Sequence, residues 1–291
     1  MTKIAIVTDS NSGISQLHAD ELGLYVVPMP FMINEETYYE DINLTISDFF
    51  EKMTGGAEIK TSQPSPDSVM RIWDKALETN DEVVYIPMSS GLSGACQTAM
   101  MLASEYDNKV YVVNNQRISV PLKQSIMDAK ELAQRGKSAA QIKEILENDR
   151  FNNSIYIMLD TLEYLKKGGR ITPAAAALGT ILRLKPVLQI QGEKLDAFAK
   201  ARTSSQGRSI MLNALHNDIE NRFGGVENKD YVLCIAHTQN EEAAQSLKQE
   251  LMQLYPGQAI YVDTLSLSVA CHTGPGALGV ACCRKLHYDE V

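Results

Sequence analysis

Short apolar runs alternate with helical patterns through the first half of the chain. Residues 4–7, 83–86 and 110–113 are continuous apolar runs, which are typical of strands buried on both faces of a sheet. Helical spacing is found near residues 16–22, 45–53, 67–79, 94–105, 121–135 and 138–148. This alternation predicts a parallel sheet with helices on both faces. Residues 31–33 are expected to continue that sheet, and the acidic segment 34–41 to form turns.

The pattern changes near residue 151. Further strands are expected at 155–159, 186–190, 195–198, 231–236 and 258–262, and helices at 162–167, 172–182, 205–222 and 241–254. The strands at 186–190 and 195–198 are expected to form a hairpin, joined by a turn at 191–193. A last helix is expected to open at Gly274-Pro275-Gly276. We therefore predict an α/β protein with two domains. Residues 1–158 would form an N-terminal domain with a parallel sheet sandwiched by helices, and residues 159–291 a C-terminal α/β domain with a mixed sheet.

Composition narrows the functional classes. The chain has 291 residues, of which 44% are hydrophobic and 22% charged, as is ordinary for a globular protein. Its formal net charge of −9 argues against a nucleic-acid partner, because proteins that bind phosphate backbones concentrate Lys and Arg. No apolar run reaches the length of a membrane span, and the first residues lack the features of a signal peptide. We therefore expect a cytoplasmic protein.

The cysteines predict neither a disulfide framework nor a metal site. They are five in number, and no pair of them has the CxxC spacing of a zinc site. We expect all of them to be small core residues. They are Cys96, Cys234, Cys271, Cys282 and Cys283.

The segment around residues 83–102 has the pattern of a strand, a tight loop and a helix. The loop contains Ser89, Ser90 and Ser93, together with two glycines that let the backbone turn sharply and approach a ligand. A helix start exposes N–H groups and carries a partial positive charge, so the loop is a candidate anion site. Serine and glycine are also ordinary capping residues, and helix capping alone remains an alternative.

Several motifs stand in order along nearly the whole chain. They are Val7-Thr8-Asp9-Ser10, Thr61-Ser62-Gln63-Pro64-Ser65, Ser89-Ser90-Gly91-Leu92-Ser93-Gly94, Gly168-Gly169-Arg170-Ile171, Lys185-Pro186-Val187-Leu188, Lys200-Ala201-Arg202 and His272-Thr273-Gly274-Pro275-Gly276. As an ordered set they resemble the DegV family of bacterial fatty-acid-binding proteins. The chain departs from the family pattern at Asn115-Gln116, where an acidic Asp-Ser pair is usual, and at Ser119-Val120-Pro121, where a glycine-rich turn is usual.

The resemblance implies a two-domain protein that holds one fatty acid between its domains, with the acyl chain in an apolar tunnel. It implies a carrier and not an enzyme, with no cofactor. A separate fatty acid kinase would phosphorylate the bound acid, giving an acyl-phosphate for phospholipid synthesis. The implied partners are the fatty acid and the kinase catalytic subunit, and a transient contact with a membrane surface is compatible with this role. For the tunnel we expect residues 31–33, 174–178, Ile181 and Leu184.

Four polar positions are implied at the fatty-acid carboxylate. Thr61 and Ser93 match family positions whose hydroxyls contact it, and Ser62 and the N–H group of Gly94 are further candidate donors. A buried carboxylate must be hydrogen-bonded, because leaving it unsatisfied costs several kcal/mol. Hydroxyl donors would hold the anion without a fixed charge and leave an oxygen available for phosphorylation. Without the resemblance, Thr61-Ser62 would be taken for a solvated loop ahead of a helix.

The resemblance implies roles for three further residues, which are charged or titratable. His272 could hydrogen-bond the carboxylate or phosphate, although a lone histidine is more often structural. Arg170 follows a double glycine, and its planar guanidinium matches a carboxylate or a transferring phosphoryl group. Arg202 is expected at the surface, in contact with the kinase, with a solvated charge as the alternative.

Two other functions remain as alternatives. An acyl hydrolase could use Ser93 as nucleophile and His272 as base, but the Gly-x-Ser-x-Gly signature of a nucleophile elbow is absent. A nucleotide-binding module would need a glycine-rich phosphate loop, and neither common form of that motif is present.

Overall fold

The computed structural model describes residues 2–178, 184–192 and 194–291. The described chain forms two compact units. Unit 1 contains the residues up to Arg150, together with Ser266–Ser268 and Leu286–Val291. Unit 2 contains Phe151–Leu265 and Val269–Lys285. The domain boundary that the sequence predicts, between residues 158 and 159, stays a prediction.

Unit 1 is an α/β unit with two sheets. Its strands are β1 (Ile4–Asp9), β2 (Tyr25–Val27), β3 (Pro30–Ile33), β4 (Glu36–Tyr39), β5 (Ile59–Thr61), β6 (Glu82–Ile86) and β7 (Val110–Val112). Its helices are α1 (Gln16–Leu22), α2 (Ile46–Thr54), α3 (Pro66–Leu77), α4 (Ala95–Ala103), α5 (Ser119–Gln134) and α6 (Ala139–Asn148). The larger sheet has the order β2-β1-β6-β7, and all its pairings are parallel, as the sequence predicts.

The parallel sheet is covered by helices because its strands are apolar on both faces. Val7 and Tyr85 share a buried cluster with Trp73 of α3, whose ring meets Tyr85 edge-on at 5.5 Å between centroids. Side chains alternate across a strand, so Ile6 and Val84 belong to the opposite face and are equally buried. Helices α5 and α6 contact the same strands. The predicted sandwich is therefore confirmed.

Two expectations about the following segment were wrong. Residues 31–33 do not continue the parallel sheet, because β3 pairs antiparallel with β4 and β5 in a separate three-stranded sheet. The segment predicted as turns contains β4. Asn34 and Glu35 turn, both with positive φ, as in a tight two-residue hairpin loop, and Asp41 turns after β4 with φ of 61°. The acidic residues around β4 disguised the strand, whose own side chains are exposed or only half buried.

The loop after β7 departs from the family pattern and is held by a buried ion pair. Gln116 and Ser119 both have φ of 55°, the left-handed region that glycine adopts more easily. Arg117 is fully buried, and its guanidinium donates to Ser125 at 2.9 Å and to the carboxylate of Asp149 at 2.6 Å. The buried Arg117 therefore holds this loop in place, although the two residues with positive φ are not glycines.

Unit 2 is built on one mixed sheet of order β10-β9-β8-β13-β11-β12. Its strands are β8 (Asn153–Met158), β9 (Lys185–Ile190), β10 (Asp196–Ala201), β11 (Tyr231–His237), β12 (Ile260–Thr264) and β13 (Leu278–Arg284). Its helices are α7 (Glu163–Gly168), α8 (Pro173–Leu178), α9 (Ser204–Arg222), α10 (Glu241–Leu254) and α11 (Leu267–Thr273), whose first two residues are grouped with unit 1. Among the strand pairs described in this sheet, β11 and β12 are parallel and the other four pairs are antiparallel. The mixed sheet and the β9–β10 hairpin are confirmed.

The predicted last helix was wrong. The Gly274-Pro275-Gly276 turn follows α11 and leads into β13, which pairs with β8 and β11 in the interior of the sheet. Both glycines have positive φ, 74° and 83°, so the turn reverses the chain instead of starting a helix. The buried run 278–283 is apolar on both faces, which is the signal of an interior strand. The end of the predicted helix at 172–182, including Ile181, lies outside the described residues.

Two further sequence expectations can be compared with the structure. All five cysteines are buried, which confirms their assignment to the core. Among the described residues, no helix is long and apolar enough to cross a membrane.

Candidate functional site

The loop after β6 is held by hydrogen bonds to residues elsewhere in unit 1 and by a hydrogen bond between its own residues. The Met88 N–H group donates to Asp9 Oδ2 at 2.8 Å, and the Ser89 N–H group donates to the carbonyl of Arg117 at 2.8 Å. Within the loop, the Ser93 N–H group donates to the carbonyl of Ser89 at 3.2 Å. The result is a fixed turn that delivers the chain to the start of α4.

Ser93 combines a capping role with the capacity to donate. Its Oγ accepts the N–H group of Ala95 at 3.2 Å, so the capping alternative is part of its function. An oxygen that accepts this bond keeps its own proton for donation to an anion. Ser93 is half-buried and Gly94 is exposed, at the end of a nine-residue helix whose first N–H groups favour negative charge.

The Thr61–Ser65 segment lies against the same helix start. Thr61 ends β5 and pairs with Phe31. Gln63 Nε2 donates to Thr98 Oγ1 at 3.1 Å, and a Cβ added at Gly94 would lie 3.0 Å from Gln63 Oε1. The glycine therefore allows the two segments to approach closely. Unit 1 thus brings the segment containing Thr61 and Ser62 to the helix start that contains Ser93 and Gly94.

In unit 2, the double glycine packs against the predicted histidine. Gly168 closes α7, and a side chain there would overlap the imidazole of His272. Arg170 Nη1 donates back to the carbonyl of Gly168. His272 lies in the last turn of α11, so Gly168, Arg170 and His272 form one cluster. The sequence predicted the residues of this cluster but not their mutual contact.

The environment of His272 determines its charge. Burial lowers the pKa of its imidazole to about 4, and the nearby positive charge of Arg170 lowers it in the same direction. The side chain is therefore neutral near pH 7. A general base works best with a pKa near the operating pH, so this histidine is poorly suited to activate a serine. The observation disfavours the acyl hydrolase alternative.

The turn after His272 is clamped by residues that sequence reasoning missed. Thr238 Oγ1 donates to the carbonyl of Gly274 at 2.5 Å, and Asn240 Nδ2 donates to the carbonyl of Gly276 at 2.9 Å. A Cβ at Gly276 would lie 2.7 Å from Asp160 Oδ2. Thr238 and Asn240 follow a strand end, a position that parallel strands often use for function, and this was the available signal.

Other predicted residues have simpler surroundings. Arg202 follows β10 and is exposed, and its N–H group donates to Gln206 Oε1 at 2.8 Å.

Of the expected tunnel residues, Phe31 and Ile33 are buried and Met32 is 42% exposed. Leu184 is half-buried, and neither the side chain of Leu178 nor Ile181 is among the described parts. The tunnel itself remains a prediction.

Two further features of the described residues concern metal binding and an open cleft. They contain no group of three or more His, Cys, Asp or Glu side chains that could hold a metal ion. An open cleft of about 580 Å³ lies beside α2, with Asn34, Tyr38 and Lys52 in its wall. None of the predicted site residues lines this cleft, so it is separate from the clusters described above.

The comparisons with known proteins agree on one family. Residues 3–285 match the family model described as uncharacterised proteins of the DegV family. A DegV domain-containing protein of Deinococcus radiodurans is 31% identical, over 96% of this chain and 97% of its own.

Solved structures extend the comparison. The structure of a DegV family protein from Thermus thermophilus, described by its fatty acid binding, has a TM-score of 0.88 and 34% identity, covering 97% of this chain and 99% of its own. DegV of Bacillus subtilis, described as a fatty acid binding protein, has a TM-score of 0.86 and 27% identity, covering 98% and 100%.

Proposed function

The chain belongs to the DegV family, and from this premise we propose that it binds a long-chain fatty acid. The observation that carries the proposal is the contact between the Thr61–Ser65 segment and the start of α4, made through Gln63 and Thr98. This contact gathers hydroxyl and N–H donors at a helix end that favours an anion. The related Thermus and Bacillus proteins are described by the same ligand.

The carboxylate would be held by neutral donors of unit 1. Thr61 and Ser93 would donate their hydroxyl protons, and Ser62 and the Gly94 N–H group would supply further bonds. A carboxylate transferred from water needs such bonds, because burial without them costs several kcal/mol. Since Ser93 Oγ already accepts from Ala95, its own proton would be the one it donates to the carboxylate.

Arg170 and His272 of unit 2 are assigned to the head group on the strength of the family resemblance. The low pKa of His272 supports a neutral imidazole that exchanges hydrogen bonds without adding charge. Arg170 would stabilise the acid or a transferring phosphoryl group through its guanidinium. This division leaves binding mainly to the hydroxyls and charge stabilisation to the arginine.

We further propose that the protein is a cytoplasmic carrier that presents the bound acid to a separate fatty acid kinase. The product would be an acyl-phosphate that enters phospholipid synthesis. Arg202 is the proposed kinase contact, and its exposed position next to the start of α9 supports this role. No resident cofactor is proposed, because the kinase would supply the phosphoryl donor.

Lipid extraction tests the ligand directly. Protein purified from cells, denatured and extracted, should yield a long-chain fatty acid by mass spectrometry, and stripped protein should bind added oleate or palmitate. Empty extracts combined with no binding of either acid would refute the proposal. Serine-dependent hydrolysis of p-nitrophenyl esters would replace the carrier with an enzyme.

Substitutions test the assigned residues. Ser93→Ala and Thr61→Ala should each weaken oleate binding about 10- to 100-fold, the size of a lost hydrogen bond to a charged group. Ser104→Ala, at the other end of the same helix, is the matched control, because its hydroxyl donates to the carbonyl of Met101 within that helix. Equal affinities for the Ser93 and Ser104 variants would remove Ser93 from the site.

The kinase step has its own test. With an added fatty acid kinase, Arg170→Ala should slow phosphorylation more than it weakens binding. Arg202→Ala should reduce kinase affinity and leave oleate affinity unchanged. Arg284→Ala serves as the control, since Arg284 is also an exposed arginine of unit 2. Equal losses of binding and phosphorylation in Arg170→Ala would contradict the division of roles.

A further inference from the structure

The Val7-Thr8-Asp9-Ser10 motif contains a carboxylate that the proposed site does not use. Asp9 ends β1 and is fully buried. Its Oδ1 accepts the Asn11 N–H group and the Asn11 side-chain amide, both at 2.9 Å, and its Oδ2 accepts the Met88 N–H group at 2.8 Å. All three donors are neutral amides. Burial raises the pKa of Asp9 and these three bonds oppose that rise.

The bond to Met88 fixes the entrance of the loop that leads to Ser93. Thr8, the preceding residue, donates its hydroxyl to the carbonyl of Ile86 at 2.9 Å, so the ends of β1 and β6 are tied at successive positions. Beyond Met88, the loop is closed by bonds between its own residues, from Gly91 to Ser89 Oγ and from Ser93 to the carbonyl of Ser89. Together with the bond from the Ser89 N–H group to the carbonyl of Arg117, the Met88 bond therefore sets where the Ser93 turn begins.

The bonds to Asn11 fix a second segment. Because the Asn11 amide donates to Asp9, its Oδ1 must face away from the carboxylate. That Oδ1 accepts the hydroxyl of Ser268, in the first turn of α11. Glu40 Oε1 accepts the neighbouring Leu267 N–H group at 2.9 Å. A continuous chain of hydrogen bonds within unit 1 thus runs from Met88 through Asp9 and Asn11 to Ser268.

We propose that Asp9 is a positioning residue for the fatty-acid carboxylate site, acting through the loop from Met88 to Gly94 and, by way of Asn11, through the start of α11. The inference rests on the proposed function. Asp9 does not contact the ligand in this role. A carboxylate is required because it accepts from two directions at once, whereas an asparagine in its place would turn an N–H group toward one of the donors.

Asp9→Asn tests this role by oleate titration of the folded protein. Oleate affinity should fall about 10- to 100-fold, and amide hydrogen exchange should increase selectively in residues 88–94 and 266–268. Leu146→Ala, in the core of unit 1 on α6, is the control for lost stability alone. It should destabilise the protein without a comparable loss of affinity or a selective change in those two segments.

A double-mutant cycle separates positioning from general damage. If Asp9 acts through Ser93, Asp9→Asn should cause less than a threefold further loss of affinity in the Ser93→Ala background. Additive losses would overturn the proposal, and so would wild-type affinity in Asp9→Asn. If Asp9→Asn does not fold, Asn11→Ala tests the link to α11, because it keeps the Met88 bond and breaks the bond to Ser268. Amide exchange should then increase in residues 266–268 and not in 88–94, and unchanged exchange in 266–268 would overturn that part of the proposal. Absence of oleate binding by the wild-type protein would instead overturn the proposed function.

Discussion

At the scale of single residues, the clusters described above depend on glycines, because the lack of a side chain leaves room for a neighbouring group. Gly168 has no side chain, and the imidazole of His272 occupies that space. Gly94 similarly makes room for Gln63. Neighbouring Gly169 has a different reason to be glycine, since its φ of 66° is left-handed and its surroundings are open. Two adjacent glycines thus satisfy two separate constraints, one of space and one of backbone conformation.

Gly168→Ala should displace the imidazole of His272. Overpacking of this kind costs about 1–3 kcal/mol, and we expect oleate affinity to fall with it. The matched control is Gly169→Ala, which should cost about 1–2 kcal/mol through its backbone conformation without touching the histidine. Denaturant unfolding and oleate titration measure both effects. The same affinity in the two variants would show that the position of the imidazole is unimportant.

The pKa of His272 predicts acid sensitivity. Folding lowers this pKa from 6.5 to about 4, so the unfolded chain binds the proton more tightly between these values. Stability should therefore fall as the pH drops from about 6.5 toward 4, by about 1–2 kcal/mol between pH 7 and pH 5. His272→Gln should lose correspondingly less over that interval in denaturant unfolding, whereas His18→Gln, at an exposed position, should behave as the wild type. Identical acid sensitivity in the wild type and His272→Gln would contradict the assignment.

At the scale of elements, the start of α11 is capped from a distance. Glu40 follows β4, and its Oε1 accepts the N–H group of Leu267, the first residue of the helix. The pKa of this carboxyl is raised to about 8, mainly by burial and slightly by the nearby charge of Asp41, against the lowering effect of the Leu267 bond. The short helix that contains His272 is therefore anchored by a carboxyl that is largely protonated at neutral pH.

Glu40→Gln should make the protein less sensitive to alkaline pH. Because folding raises the pKa of Glu40 from 4.5 to about 8, the folded state holds the proton more tightly, and stability is lost as the pH rises through that interval. We expect the wild type to lose about 1–3 kcal/mol between pH 6 and pH 8.5, and Glu40→Gln to lose less. Urea unfolding at both pH values measures the difference. Glu35→Gln, at an exposed position, should match the wild type, and a match by Glu40→Gln as well would refute the prediction.

At the scale of the whole molecule, the chain returns twice from unit 2 to unit 1. Ser266–Ser268 and Leu286–Val291 both belong to unit 1. Ser268 is tied to Asn11, and the Tyr288 hydroxyl donates to Asp128 at 2.8 Å. The end of the chain is therefore part of the packed unit that contains Ser93.

Removal of the ligand should lower the stability of the protein. A ligand that binds only the folded state stabilises it by about 2.7 kcal/mol at a hundredfold excess over its Kd. Protein stripped of lipid should therefore unfold several degrees lower than protein saturated with oleate, as measured by calorimetry. Ser93→Ala should show a smaller difference at equal oleate concentration. An unfolding temperature that does not respond to oleate would contradict the proposed ligand.

Local patterns predicted most elements because they depend on neighbours in the sequence. The apolar runs of β1, β6 and β7 were evident in the residues themselves. The β9–β10 hairpin was also evident from its turn. The ordered motifs likewise indicated the family, because their order is a property of the chain alone.

Only the tertiary structure decided which partners these segments meet. It assigned Phe31 to an antiparallel sheet and made the run after Gly276 an interior strand instead of a helix. It also revealed Asp9 as the acceptor for Met88, 79 residues away, and a neutral His272 beside Arg170. Hydrogen bonds and burial between distant residues arise only once the chain has folded, whereas propensity and periodicity are already present in the sequence.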